Sequence, residues 1–217
     1  MVNSVALQHG DRWKYVDDIT VGAYGKPTET TNPVLQDTML AINADAIRDM
    51  SINAAKCSTM RIAASNRPGF KPLLLKGGEI PHTNTMKLLG IIIQHSLKWD
   101  SHVEAVVMKA NNRRYFITVL KRAGVKLEDL TRCYCTFIRP VLEYAAPVWH
   151  GGLTGQQSDL LEQVQRQCLR TLPPYASHRE ALQATGLQTL VEHRSQVCMN
   201  FAQSLLSSQE FACWLPK

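Results

Sequence analysis

The sequence predicts an α+β chain, with strands gathered in its first hundred residues and helices after them. Three observations carry that expectation. Before residue 98, short apolar runs with Thr, Ile and Val alternate with Gly, Pro and Asn turns, the pattern of strands. After it, longer segments repeat their apolar residues at helical spacing. The 217 residues are 45% hydrophobic and 19% charged, which places the chain among globular rather than disordered proteins.

The first element is the segment RWKYVDDITVGAYG, residues 12–25. β-favouring residues flank Asp17-Asp18, so two strands meet at an acidic turn. Next, Asn32-Pro33 opens an amphipathic helix, with Asn32 as N-cap and Pro33 at the first helical position. Leu35, Met39, Ile42, Ala46 and Met50 form its apolar face, with Ile47 beside them. Residues 52–64 read as a turn and a strand, which Pro68 and Gly69 break. Residues 73–75 and Ile80 flank Gly77-Gly78, a hairpin signal. Residues 87–93 read as a further buried strand.

From there the helical period takes over. Ser101 and Glu104 have the spacing of a capping box for a helix over 102–122. Val103, Val106, Val107, Ala110 and Ile117 share its face, and Gly124 ends it. A second helix starts near Leu127 and runs towards Ile138, before Pro140. Thr154 caps a third, which Pro173-Pro174 closes. Residues 178–206 hold two more, parted near Gly186. Trp99 and Trp149 lie in apolar contexts and read as core anchors.

Several classes are disfavoured. No apolar run approaches the ~20 residues of a membrane helix. The opening MVNSVALQHGDRWK lacks the basic start and apolar core of a secretory signal. Secretion is therefore disfavoured; reduced cysteines together with a nucleic-acid partner would point to a nuclear or cytoplasmic compartment. The six cysteines form no CxxC pair and sit beside no suitably spaced histidine, which argues against zinc and against a disulfide scaffold. They read as reduced thiols on apolar faces. The seven histidines show no metal spacing and read as ordinary surface or interface residues.

Net charge is +6, unevenly spread. Residues 1–100 carry 11 basic and 9 acidic residues, whereas residues 101–126 carry 6 basic against 1 acidic. Such a block is either a solvated helix surface or a footprint for a polyanion, nucleic acid first. Lys109, Arg113, Arg114, Lys121, Arg122 and Lys126 do not fall on one clean helical face, and Arg114 lands on the apolar stripe.

The sharpest local feature is Tyr15-Val16-Asp17-Asp18. Adjacent carboxylates repel unless a cation or solvent screens them. Hard divalent ions such as Mg²⁺ take carboxylate oxygens and retain waters. An isolated Asp-Asp turn is otherwise common, because Asp satisfies local backbone donors.

The order of elements adds to this. WKYVDDITV, the helix ending in NAAKC, KLLGIIIQHSLKW, the basic helix, TRCYCTFIRPVLEYAAPVWHGGLT and LEQVQRQCLR follow one another. This series resembles reverse transcriptases of non-LTR, LINE- or jockey-like retrotransposons, from their motif C onward, over nearly the whole chain. The resemblance implies a partial palm over 1–97, a helical thumb-like region over 98–172 and a C-terminal helical extension over 173–217. It implies that Asp17 and Asp18 bind catalytic Mg²⁺ (or Mn²⁺), with Tyr15 near the primer terminus. Lys56 matches the motif D lysine that protonates departing pyrophosphate; otherwise it is a solvated turn lysine. Leu89 and Gly90, in KLLGIIIQHSLKW, match the primer-grip hairpin, and in either case are expected in a buried strand. Lys109, Arg113, Arg114, Lys121 and Arg122 would meet the phosphates of an RNA template and DNA primer, two or three of them in contact and the rest solvated.

The chain departs from the family pattern in one respect. The motif A carboxylate, the fingers and the motif B loop, with the dNTP wall, would precede residue 1. Two carboxylates on one turn do not hold two ions at the ~3.5–4 Å of two-metal catalysis. The resemblance therefore implies a reverse-transcriptase fragment, inactive as an isolated chain. The alternatives are a non-catalytic nucleic-acid-binding module and a degenerate retroelement remnant.

Overall fold

The structure is a computed structural model and describes residues 12–23, 31–46, 52–62, 72–171 and 177–208. It divides into two units, Met1–Met86 and Lys87–Lys217. The change of sequence pattern near residue 98 falls some way after that division. The reason is a hairpin that precedes the first long helix and packs against it, as described below.

In the first unit, β1 (Arg12–Tyr15) and β2 (Asp18–Val21) form an antiparallel hairpin, with Tyr15 opposite Asp18 and Lys14 opposite Ile19. Helix α1 (Thr31–Ala46) buries Ile42 against Ile19, Val21 and Ile52. It starts at Thr31, so Asn32 and Pro33 lie inside its first turn rather than at the cap. The expected continuation through Ile47 and Met50 lies outside the described residues. Leu35 and Met39 face a second small cluster, Leu73, Leu75 and Ile80. That cluster surrounds the hairpin of β3 (Leu74–Leu75) and β4 (Gly78–Glu79). Its turn has positive φ at both Lys76 (+52°) and Gly77 (+79°), the geometry that matches strand twist in a two-residue loop. The Gln36 side chain serves Leu74 as a substitute strand partner, donating to its carbonyl and accepting from its N–H, both at 2.8 Å.

The strand expected within 52–64 is replaced by a single 3-10 turn, Ala54–Lys56, and one isolated bridge from Thr59 to His82. Asn53 caps the turn by accepting from Ala55 N–H at 3.1 Å. This polar cap closes the chain on itself before a ladder can start.

The second unit begins within β5 (Thr85–Leu88), which pairs with β6 (Ile91–Gln94) in a hairpin where one buried strand was expected. Its turn is Leu89-Gly90, both exposed, with φ of +46° and +86°. Leu89 and Gly90 are therefore a solvent-facing tip and not a buried strand. Helix α2 (Asp100–Arg122) follows, capped by Trp99 without a side-chain bond. Ser101 is not the cap; it sits in the first turn, and its N–H donates to Gln94 Oε1 at 3.1 Å. Gln94 thus satisfies a helix-end donor and ties β6 to α2. At the other end Gly124 (φ +79°) donates to Lys121, and Val125 to Leu120, a Schellman ending.

The next helix passes through Pro140. Helix α3 (Leu127–Cys133) runs into a π-helical turn, Tyr134–Ile138, and then α4 (Arg139–Glu143). The wide turn takes Arg139 N–H to the Tyr134 carbonyl, five residues back, which makes room for a ring that has no N–H and would clash in a regular turn. Ala145 (φ +53°) breaks the chain into α5 (Ala146–Trp149). Thr154 caps α6 (Gly155–Arg170) in a reciprocal capping box with Gln157. Pro173 and Pro174 lie outside the described residues. Helix α7 (His178–Thr185) ends at Gly186, and α8 (Leu190–Ser207) completes the unit.

One core binds these helices. Val103, Ala110 and Ile117 of α2 meet Leu130, Tyr134, Ile138 and Leu142 on one side, and Leu161, Val164, Cys168 and Leu169 on the other. Trp149 is buried and Trp99 packs on the cluster edge. No helix among the described residues is long and apolar enough to cross a membrane.

Candidate metal-holding hairpin and nucleic-acid interface

The acidic turn is exposed and strained. Tyr15 and Val16 are 63% and 68% exposed, and Asp17 and Asp18 are exposed beside them. Only the first central residue of the turn, Val16, is left-handed, at φ +53°. Two-residue turns of that form favour glycine there. A β-branched residue in that region costs on the order of 1–3 kcal/mol and persists where the site requires it. The strands on either side hold Asp17 and Asp18 at the tip, open to a large ligand.

As ligands the two carboxylates suit one hard octahedral ion, completed by waters and phosphate oxygens. They do not by themselves suit two. Among the described residues there is no group of three or more His, Cys, Asp or Glu placed to hold a metal ion.

Lys56 is the last residue of the 3-10 turn and is exposed. Its neighbour Cys57 points back to the Asn53 carbonyl at 3.4 Å, and burial pushes its thiol up while Lys76 opposes. The Leu89-Gly90 tip belongs to the other unit. There Tyr144 Oη donates to the Leu89 carbonyl at 3.0 Å, and a Cβ on Gly90 would lie 3.2 Å from the Tyr144 ring. Glycine is therefore required twice at this position, for its φ and for its space.

The basic residues divide. Lys109, Lys121 and Arg122 are exposed on α2. Arg113 and Arg114 are engaged within the chain. Arg113 Nη1 donates to the Phe137 carbonyl at 2.6 Å, with its guanidinium 4.6 Å above the Phe137 ring. Arg114 reaches across to Gln167 of α6, which explains its position on the apolar stripe. Neither arginine is simply solvated.

Sequence reasoning missed a buried polar cluster around Arg194. Arg194 is 0% exposed. Its Nε donates to His150 Nδ1 at 3.4 Å and its Nη2 to Ser158 Oγ at 3.1 Å. Glu162, also buried, accepts from Leu190 N–H at 2.9 Å and lies 3.4 Å from His178. Glu143 lies 2.8 Å from His193. Burial pushes the Glu143 carboxyl up, against the pull of His193 and Arg139. Burial, then Arg194, pushes His150 down. A signal was present: Arg194 lies four residues after Leu190 and four before Cys198, on an apolar face. His102 was also read as ordinary surface. It is buried between Trp99 and Trp149, and its Nδ1 accepts from Ile92 N–H at 3.3 Å.

The chain is similar to a retrotransposon polymerase. It is 28% identical over 140 residues to the "RNA-directed DNA polymerase from mobile element jockey" of Drosophila funebris, across 62% of this chain. The match covers 15% of that relative, so the chain spans a small part of its length. This supports a reverse-transcriptase-like relationship. No protein-family model matches the chain, and no solved structure matches it.

Proposed function

We propose that this chain is part of an RNA-directed DNA polymerase of a mobile element, from the acidic hairpin through the thumb. The observation that carries the reading is the strained, exposed turn that holds Asp17-Asp18, in a chain similar to the jockey polymerase. In this reading Asp17 and Asp18 hold Mg²⁺, or Mn²⁺ in its place. A bound ion would activate the primer hydroxyl or steady the leaving pyrophosphate. Tyr15 faces the primer end, and Lys56 supplies a proton to the departing group. Leu89 and Gly90 support the primer, and Tyr144 fixes their carbonyl. Lys109, Lys121 and Arg122 neutralise duplex phosphates, which positions the hybrid without reading its sequence. Arg113 and Arg114 shape the helix that carries them. Palm is assigned to 1–97, thumb to 98–172 and extension to 173–217. The isolated chain is without polymerase activity, since two carboxylates on one turn fall short of a two-ion site.

A second reading is favoured by the absence of a third ligand among the described residues: a non-catalytic nucleic-acid-binding module. Affinity for an RNA–DNA hybrid, measured with and without Mg²⁺ in wild type and Asp17→Asn, separates the two. The polymerase reading expects Mg²⁺ to tighten binding, and Asp17→Asn to abolish that gain. Binding that weakens with salt but ignores both Mg²⁺ and Asp17→Asn supports the module and refutes the metal assignment.

A further inference from the structure

Helix α2 is apolar on two opposite sides. One side, through Val103, Ala110 and Ile117, is core. On the other, Met108, Tyr115 and Phe116 are 65%, 66% and 55% exposed, and Val119 follows one turn later. At 1.5 Å per residue the stripe is about 16 Å long. Phe137, also exposed, widens it from the π-helical turn, meeting Phe116 edge-on at 5.7 Å and 89°. A helix apolar all round is normally covered, and clustered exposed apolar side chains mark an interaction site.

Charge decides what covers it. From 105 to 122 the helix carries five basic and no acidic residues. Lys109 and Arg122 border the stripe on its two sides. Arg113 is stacked on Phe137 and hydrogen-bonded to the same residue's carbonyl, so guanidinium and rings form a platform fixed before any ligand arrives.

We propose that this face of α2 binds a single strand of nucleic acid. Unpaired bases stack on Tyr115, Phe116 and Phe137, and the backbone follows Lys109 and Arg122. The inference rests on the reading of α2 as a nucleic-acid-facing helix and departs from it in one point. A duplex hides its base faces, so the exposed rings gain little from it. Unpaired bases all offer a face, and stacking on aromatic side chains is tolerant of sequence.

The test is fluorescence anisotropy on the full 217-residue chain, with a labelled 15-nucleotide oligo-dT and a blunt duplex of equal length, at two salt concentrations. Tyr115→Ala/Phe116→Ala is expected to weaken oligo-dT binding about fivefold or more and to leave duplex affinity within about twofold. Tyr115→Phe keeps the ring and is expected to retain binding. Lys109→Gln/Arg122→Gln is expected to weaken both ligands and flatten the salt dependence. The substituted side chains are exposed, and an unchanged Tm shows that the fold is intact. If the aromatic pair leaves oligo-dT affinity unchanged, the stacking proposal is overturned while duplex binding stands. If wild type binds neither ligand, the nucleic-acid reading falls with it. A dimer that the aromatic pair dissolves, with oligonucleotide binding unaltered, assigns the face to a second copy and equally overturns the proposal.

Discussion

Replacing Arg194 with methionine is expected to destabilise the helical unit by about 3–5 kcal/mol, the usual cost of stranding a buried charge. The magnitude follows from what the guanidinium holds. It is fully buried, donates to His150 and Ser158, leaves its Nη1 without a hydrogen-bond partner, and interacts through space with the carboxylates of Glu162 and Glu143. Methionine fills much of the volume, so a cavity is not the main loss. The loss is the cation that balances Glu162, itself 5% exposed. With roughly 2.1 cal/mol/K per residue across the Lys87–Lys217 unit, each kcal/mol lowers Tm by about 4 °C. A fall of roughly 10–20 °C is the expected reading in thermal denaturation followed by circular dichroism. Glu162→Gln in the same background removes the stranded charge, so the double variant is expected to recover at least ~1 kcal/mol relative to additivity. A loss below ~1 kcal/mol for Arg194→Met, or strict additivity in the double variant, refutes the reasoning and makes the cluster a solvated group.

Two further predictions concern the acidic hairpin and pH. Val16→Gly relieves the left-handed strain at φ +53° and is expected to stabilise the hairpin by about 1 kcal/mol after the entropy of glycine is counted. The Mg²⁺ response of hybrid binding is expected to fall in the same variant, because Asp17 and Asp18 are held less rigidly; a destabilised variant with an intact response contradicts this. For pH, burial places the His102 imidazole below its ordinary value, and His150 likewise. The unfolded chain then binds more protons than the folded one as pH falls through the ordinary histidine range, so stability present above about pH 6.5 is lost below it. Glu143, raised by burial, works the other way at lower pH and offsets part of the loss. Tm of the helical unit is expected to drop from pH 7.5 to 5.5, and to drop less in His102→Asn, which keeps an acceptor for Ile92 N–H. An equal drop in both proteins removes His102 from the account.

Most helices were legible because their apolar periods are long, and Thr154, Gly124 and Gly186 carry unambiguous end chemistry. The acidic hairpin was legible for the same kind of reason, since polar residues interrupt two β-favouring runs. From its apolar pattern the second hairpin was not, and only the resemblance implied it. KLLGIIIQ is apolar throughout, and its turn is set by Gly90 closing on Tyr144, a contact from fifty-four residues away. Pro140 misled in the opposite direction. A proline ordinarily marks a helix boundary, yet a π-helical turn absorbed it, and only the packed partners of Tyr134 and Ile138 favour that turn. Ser101 is not the cap because the helix already starts at Asp100, and Gln94, from the preceding strand, takes the Ser101 N–H. The buried ions were hidden by averaging. A lone arginine on an apolar face reads as noise unless its carboxylates, thirty-two and fifty-one residues back, are known to converge on it.

Among the described residues, three breaks of a local rule differ in how the chain answers them. Arg194 breaks the rule against buried charge, and the fold answers most of it internally, with bonds to hydroxyl and imidazole and the through-space pull of two carboxylates, leaving Nη1 unpartnered. Val16 breaks the rule against left-handed β-branched residues, and its side chain, 68% exposed, gains little packing in return. The outer stripe of α2 breaks the rule against exposed aromatic clusters, and no element among the described residues covers it. A sequence that specifies one fold satisfies such conflicts within the fold except where function holds them open. By that criterion Arg194 is structure, whereas the acidic tip and the aromatic stripe point outward. Under the proposed function each takes an external ligand of the same general kind: phosphate-bound cation at the carboxylates, base and phosphate at the rings and their lysine and arginine rim. On that proposal the two rule-breaks point to one class of ligand, and they weigh more than the net charge of +6, which a solvated surface would also produce.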